Sequence, residues 1–112
     1  MSLLMLVSCG REEDGQIFSI TFVCVDDRKN ETRYAITTSK KTLRGALEEQ
    51  GLIRGRESVY GLYVMEVCGM RADPDTDGAY WALYIGDEYS LTGVDSTKLS
   101  DGETYSFIYT PL

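Results

Sequence analysis

Tyr80, Trp81, Tyr84 and Tyr89 crowd into one short stretch of this 112-residue chain, with Leu91 just beyond them. Exposed rings gathered in this way would make a flat, low-entropy platform for a planar or sugar ligand. The competing use of the same rings is core packing. Strand alternation puts Trp81, Leu83 and Ile85 on one face and Tyr80, Ala82 and Tyr84 on the other, so half of these aromatics are structural. Trp81 shares its face with apolar residues and is expected in the core. Tyr89 and Leu91 follow the Gly86-Asp87 turn, where a small core covers side chains poorly, and they are the stronger binding candidates. The candidate ligand-binding set is therefore Tyr80, Trp81, Tyr84, Tyr89 and Leu91.

Asp73, Asp75, Asp77 and Gly78 spell the opening of a calcium loop, in which oxygen ligands alternate and Gly permits a sharp turn. The bidentate Glu that such a loop needs is replaced by Tyr84, inside a predicted strand, and helical flanks are missing. An acidic solvated turn is the expectation, with calcium at these three carboxylates the weaker alternative and no metal assigned.

Catalysis finds little to work with. The chain has no His, the side chain best suited to proton transfer near neutral pH, and no Gly-x-Ser-x-Gly elbow. Lys40 and Lys41 read as solvated charges, and Glu48 and Glu49 are neighbours on a helix that do not face a common cleft. No enzyme, catalytic residue or cofactor is expected. Eighteen acidic against eleven basic residues give a net charge of -7, which repels phosphate backbones and makes nucleic acid a poor partner.

Leu6, Val7, Ser8 and Cys9 fill the four places of a lipobox, followed by Gly10 and a charged run. The segment resembles the processing site of bacterial lipoproteins, which implies lipidation of Cys9. The apolar run is too short to span a bilayer or to form a full signal peptide, and no Lys or Arg precedes it. Residues 1–9 are expected to be a truncated lipoprotein signal remnant, 10–16 a tether and 17–112 the folded domain. The expected location is extracytoplasmic, on the cell membrane or outer membrane through the lipid anchor only. Cys24 and Cys68 then remain as a pair. Strand parity argues against a bridge, because Cys24 lies on the apolar face of its strand whereas Cys68 shares a face with Glu66.

The elements that must position these residues are short. IFSITFVCV (17–25) and TRYAITT (32–38) read as an antiparallel hairpin. Thr42 can cap a helix whose Leu43, Ala46 and Leu47 share one face and which Gly51 stops. A charged loop is expected at 54–57, a strand at 61–68, a loop at 70–79, a strand at 80–85 and a closing strand at 104–109. With 43% apolar and 26% charged residues the chain has a globular composition. Strands around a single helix argue an α+β fold.

Tyr80, Trp81 and Leu83, then Leu91, Gly93 and Val94, then Leu99, Asp101, Gly102 and Glu103 with aromatic alternation after them, resemble the transcobalamin-like C-terminal domain family. TLRGALEEQGL (42–52) and YGLYVMEVCG (60–69) sit where that family has its helix and next strand. The resemblance covers about 17–109 and implies a β-grasp, ubiquitin-like mixed sheet of four to six short strands packed on one helix. It further implies a ligand-facing edge at Tyr89 and Leu91 and a small-molecule ligand, with a corrinoid such as cobalamin the named case. The family's helical partner, which completes the enclosure in animal carriers, has no counterpart in these residues. The rival reading is a structural or protein-interaction surface domain that recruits another surface protein through a sheet edge.

Overall fold

In the computed structural model, residues 15–112 are described, so the lipobox and Cys9 lie outside the described residues. β1 (Phe18–Val25) and β2 (Glu31–Thr38) pair antiparallel in unbroken register, Phe18 opposite Thr38 and Val25 opposite Glu31. The turn between them is held by Asp26, whose Oδ1 accepts the Arg28 and Asn30 amides, each at 2.9 Å. Along β1, Phe18, Ile20, Phe22 and Cys24 all face the core, as the even-numbered alternation requires.

Helix α1 (Leu43–Glu49) begins at Thr42, whose hydroxyl accepts the Gly45 amide at 3.1 Å. Leu43, Ala46 and Leu47 are fully buried at the i, i+3, i+4 spacing of one helical face. Two further amides of its first turn would otherwise lack partners. Leu43 donates to Thr97 O at 2.8 Å and Arg44 to Val94 O at 3.2 Å, so the 93–97 loop is fastened to the helix start.

Next come β3 (Ile53–Ser58), β4 (Gly61–Val67) and β5 (Met70–Arg71), a single-turn helix α2 (Pro74–Asp77), then β6 (Ala79–Ile85), β7 (Glu88–Tyr89) and β8 (Thr104–Pro111). The strands form two sheets. One is five-stranded in the order β2-β1-β8-β6-β7, parallel only between β1 and β8; the other is three-stranded and antiparallel, β3-β4-β5. The core lies where α1 and the inner side of β4 meet the β1, β6 and β8 face of the larger sheet. Phe22 and Phe107 meet edge-on there at 6.3 Å, and Tyr105 is buried with its hydroxyl accepting the Ser100 amide at 2.9 Å.

The α+β class and the mixed sheet are as expected, but the single sheet on one helix is corrected in two ways. The GLYVMEVC segment belongs to a separate sheet, and its partner is the stretch expected to be a charged loop, 54–57. That stretch, RGRE, carries no alternation because β3 is exposed from Arg54 to Ser58, so only pairing makes it a strand. It also contains a bulge between Arg54 and Gly55, where a Cβ on Gly55 would stand 1.9 Å from Tyr63 O. The second correction is α2, a helical turn inside the expected 70–79 loop, started by Asp73 and Pro74 and ended by Gly78 at φ 65°.

Candidate ligand-binding groove

A groove of about 240 Å³, open to solvent, runs between β4 and the β6–β7 edge. Leu62, Tyr63 and Val64 form one wall and Tyr80, Tyr89 and Leu91 the other, while the buried Trp81, Leu83 and Phe107 form the base. The groove exists because β7 pairs only with Tyr84 and Ile85, leaving the Ala79 to Leu83 edge of β6 without a strand beside it among the described residues.

Four of the five candidate residues meet at this groove, and Tyr84 does not. Trp81 is only 6% exposed; its indole donates to Met70 O at 3.2 Å and its ring meets Tyr109 edge-on at 5.5 Å. It can offer an edge to a ligand but no ring face. Tyr84 borders a different concavity, with Val23, Val25 and Ile108 of the sheet's outer face. It supports the site indirectly, by an edge-on contact of 5.6 Å with Tyr89. Tyr80 also faces Tyr89, whose hydroxyl holds the Tyr80 phenol above its ordinary value. Tyr89 is 49% exposed and Leu91 91%.

Leu91 is presented by a loop whose polar groups are satisfied. Ser90 N donates to Leu83 O at 2.8 Å, the Ser90 hydroxyl accepts the Thr92 amide at 3.2 Å, and buried Thr97 donates its hydroxyl to Gly93 O at 2.8 Å. The β3–β4 turn that precedes the Leu62 wall carries Val59 and Tyr60, 92% and 90% exposed. Neither of these two lines the groove, so of the most exposed apolar side chains Leu91 is the one that borders it.

What holds these loops together escaped the sequence reading. Asp95 Oδ1 accepts the Leu62 amide at 2.8 Å, and Asp95 Oδ2 accepts Arg44 Nη1 at 2.7 Å. Arg44 also pairs with Glu57 and, at 3.2 Å, with Glu48. The guanidinium thus joins α1, β3 and the 93–97 loop. The Leu62 amide first, and Arg44 second, hold the Asp95 carboxyl below its ordinary value. Gly61 stands at φ 103°, and a Cβ there would fall 2.5 Å from Asp95 Oδ1, so the close approach requires Gly. Apart from the acidic residue shortly after Gly93-Val94, nothing in the spacing announces this contact. Tyr63 could have been found, as an aromatic on a predicted strand; burial raises its phenol, and Asp73 and Asp75 add to that.

Of the three aspartates of the calcium-like motif, Asp73 and Asp77 have their carboxylates engaged within α2 and its approach. Asp73 Oδ1 accepts the Asp75 amide at 2.9 Å as the cap of α2, its Oδ2 accepts Arg71 at 2.9 Å, and Asp77 Oδ2 accepts the Asp73 amide at 2.9 Å. Among the described residues, no group of three or more His, Cys, Asp or Glu is placed to hold a metal ion. None of the helices described is long and apolar enough to cross a membrane.

Neither the family models nor the curated proteins give a match to this chain. Solved structures do. A protein from Ruminococcus gnavus ATCC 29149, provisionally designated metal-binding, superposes with a TM-score of 0.80 at 27% identity, over 85% of this chain and 98% of that one. Haptocorrin in complex with Cbi superposes with a TM-score of 0.73 at 18% identity, over 86% of this chain. The chain spans only 25% of the haptocorrin chain, and this likeness is one of fold. The metal binding in the first neighbour's designation has no matching donor cluster among the described residues here.

Proposed function

We propose that this chain is a non-catalytic ligand-binding module that covers one side of a planar small molecule, with a corrinoid as the first candidate. The observation that carries the reading is the groove at the free edge of β6, with Tyr89 and Leu91 held out on a stitched loop opposite β4. Its volume of about 240 Å³ falls short of the several hundred Å³ that enclose a drug-sized ligand. A half-site that a second module completes is the arrangement such a groove suits. The fold likeness to haptocorrin, of which the chain matches a quarter, supports the same reading.

Within this proposal the fold is a β-grasp of the transcobalamin-like C-terminal kind. The order β2-β1-β8-β6-β7, with its central parallel pair between the first and last strands and α1 packed across them, supports that assignment. The lipobox at Leu6 to Cys9 supports an extracytoplasmic, lipid-anchored location. The absence of His supports the lack of catalysis.

Burial of an exposed aromatic or aliphatic side chain contributes about 1–3 kcal/mol, so two of them give the lone domain a dissociation constant on the order of 1 mM. Titration of the chain into cobinamide, followed by its visible spectrum, tests this. A saturable perturbation that disappears in Tyr89→Ala/Leu91→Ala, with the melting temperature nearly unchanged, is the expected result. No perturbation at millimolar concentrations would sink the corrinoid assignment.

A further inference from the structure

The outer face of the three-stranded sheet carries a separate cleft of about 320 Å³, open to solvent, that shares no residue with the groove. The bulge shapes it. In β4, Val64 and Val67 are both buried on the inner side, and Gly55 and Arg54 pair with Val64 and Glu66, so Met65 has no partner in β3 and lies with Glu66 on the outer side. Three of the chain's eleven basic residues border this cleft. Arg54 and Arg56 stand two apart on exposed β3, hence on one side of the strand, and Arg71 of β5 lies opposite Glu66. Arg54, Glu66 and Arg71 thus form one row across the three strands. Arg71 is paired with Asp73 at 2.9 Å and with Asp77 at 3.6 Å. Among the described residues, neither Arg54 nor Arg56 makes an ion pair, although the chain holds eighteen acidic side chains. Charge on an edge strand guards it against stray pairing, but that use needs neither the cleft nor Arg71 on the opposite edge.

We propose that this cleft is an anion site for a phosphate monoester, held chiefly by Arg54 and Arg56 with Arg71 at the far end of the row. A guanidinium presents a planar fork of donors that matches the oxygens of a phosphate. A phosphate monoester carries about two negative charges and three terminal oxygens, so it can meet more than one fork at once. A monocarboxylate has one charge and two oxygens, and a single guanidinium satisfies it. Inside the cleft the three guanidiniums outnumber the one carboxylate, Glu66, so the local field attracts anions although the net charge of the chain is -7. Exposed charges farther away than about 8 Å are largely screened at physiological salt, which leaves the local cluster to decide. The phosphate can belong to a free ester or to a lipid headgroup; the terminal phosphate is the chemistry they share.

The test titrates the full chain with glycerol phosphate and follows the backbone amides by NMR. Saturable shifts centred on Arg54 to Arg56, Met65, Glu66 and Arg71 are expected. Arg54→Gln/Arg56→Gln should weaken binding about tenfold or more with the melting temperature unchanged, since both side chains are exposed. Arg33→Gln, which removes an exposed charge from the larger sheet, should leave binding as it was. Acetate at matched ionic strength should bind more weakly than the ester. Vesicles of phosphatidylcholine with and without phosphatidic acid distinguish the sources: co-sedimentation that requires both phosphatidic acid and the two arginines assigns a headgroup, and its absence beside binding of glycerol phosphate assigns a free ester. Shifts scattered over the whole surface, equal weakening by Arg33→Gln, acetate bound as tightly as the ester, or no saturable response to either form of phosphate would overturn the proposal.

Discussion

Arg44 reaches across 51 residues of sequence to put Nη1 2.7 Å from Asp95 Oδ2, and the other oxygen of that carboxylate holds the first buried amide of β4. Helix, hairpin and loop are therefore joined through one carboxylate. Asp95→Ala should lower stability by about 1 kcal/mol through the stranded Leu62 amide, and weaken ligand binding further by freeing the β3–β4 turn. Denaturant titration and binding measured on the same preparation check this. Asp95→Asn, which keeps the acceptor but not the charge, should recover part of the stability.

Acid should act through the same carboxylate and through Asp73. The folded pKa of each is depressed, Asp95 chiefly by the Leu62 amide and Asp73 chiefly by the Asp75 amide. A depressed folded pKa contributes stability that is present above the unfolded value, 3.8, and is lost as pH falls through the lower folded value. Melting temperatures measured downward from pH 5 should thus fall less steeply in Asp95→Asn than in the wild type. Equal slopes would show that Asp95 carries none of the acid sensitivity.

Calcium should produce no heat in calorimetry at micromolar to submillimolar concentrations, because Asp73 and Asp77 already accept hydrogen bonds at the start of α2. Asp73→Ala should lower the melting temperature equally with and without calcium. A dissociation constant in the micromolar range would show that the loop rearranges to bind the ion.

Gly55→Ala should be costly although β3 is exposed. Its Cβ would meet Tyr63 O at 1.9 Å, a backbone atom that cannot swing aside, so the bulge must open. A loss of about 2 kcal/mol or more is expected in chemical denaturation, against a few tenths for the exposed Arg56→Ala in the same strand. Similar losses for the two would remove the bulge from the account.

In a bacterial host, with a complete signal segment upstream, an alkyne fatty acid should label the wild type and not Cys9→Ser. Equal labelling would refute lipidation at this residue.

Local signals carried some elements and not others. The β1–β2 hairpin, α1 with its Thr42 cap, and the burial of Trp81 follow from alternation, helical spacing and capping chemistry that each segment holds within itself. β3 was illegible because RGRE has no apolar face, and its strand character comes entirely from β4. The pairing of strands into two sheets was hidden for a similar reason: GLYVMEVC reads alike in either sheet. At the groove, Tyr89 and Leu91 were placed by their position after a turn, but the opposite wall and the Arg44 to Asp95 link are long-range contacts that no local pattern encodes. Strand parity did not reach Cys68, because β4 ends at Val67 and Cys68 stands just beyond it at φ 51°, but both cysteines are free in the structure, as expected.

β1 and β8 lie side by side in parallel, Thr21 opposite Thr104 and Val25 opposite Ile108, so the first strand of the domain shares its long edge with the last. During synthesis the hairpin of β1 and β2 emerges before β8 and waits with one flank unpaired until that strand has been made. β6 waits on the same event, since β8 is the strand that stands between them. Completion of the larger sheet is thus tied to the arrival of β8, and the high sequence separation of that pairing makes it a slow contact to form. A chain stopped at Gly102 would hold the other four strands of the larger sheet and still lack the one on which both halves close.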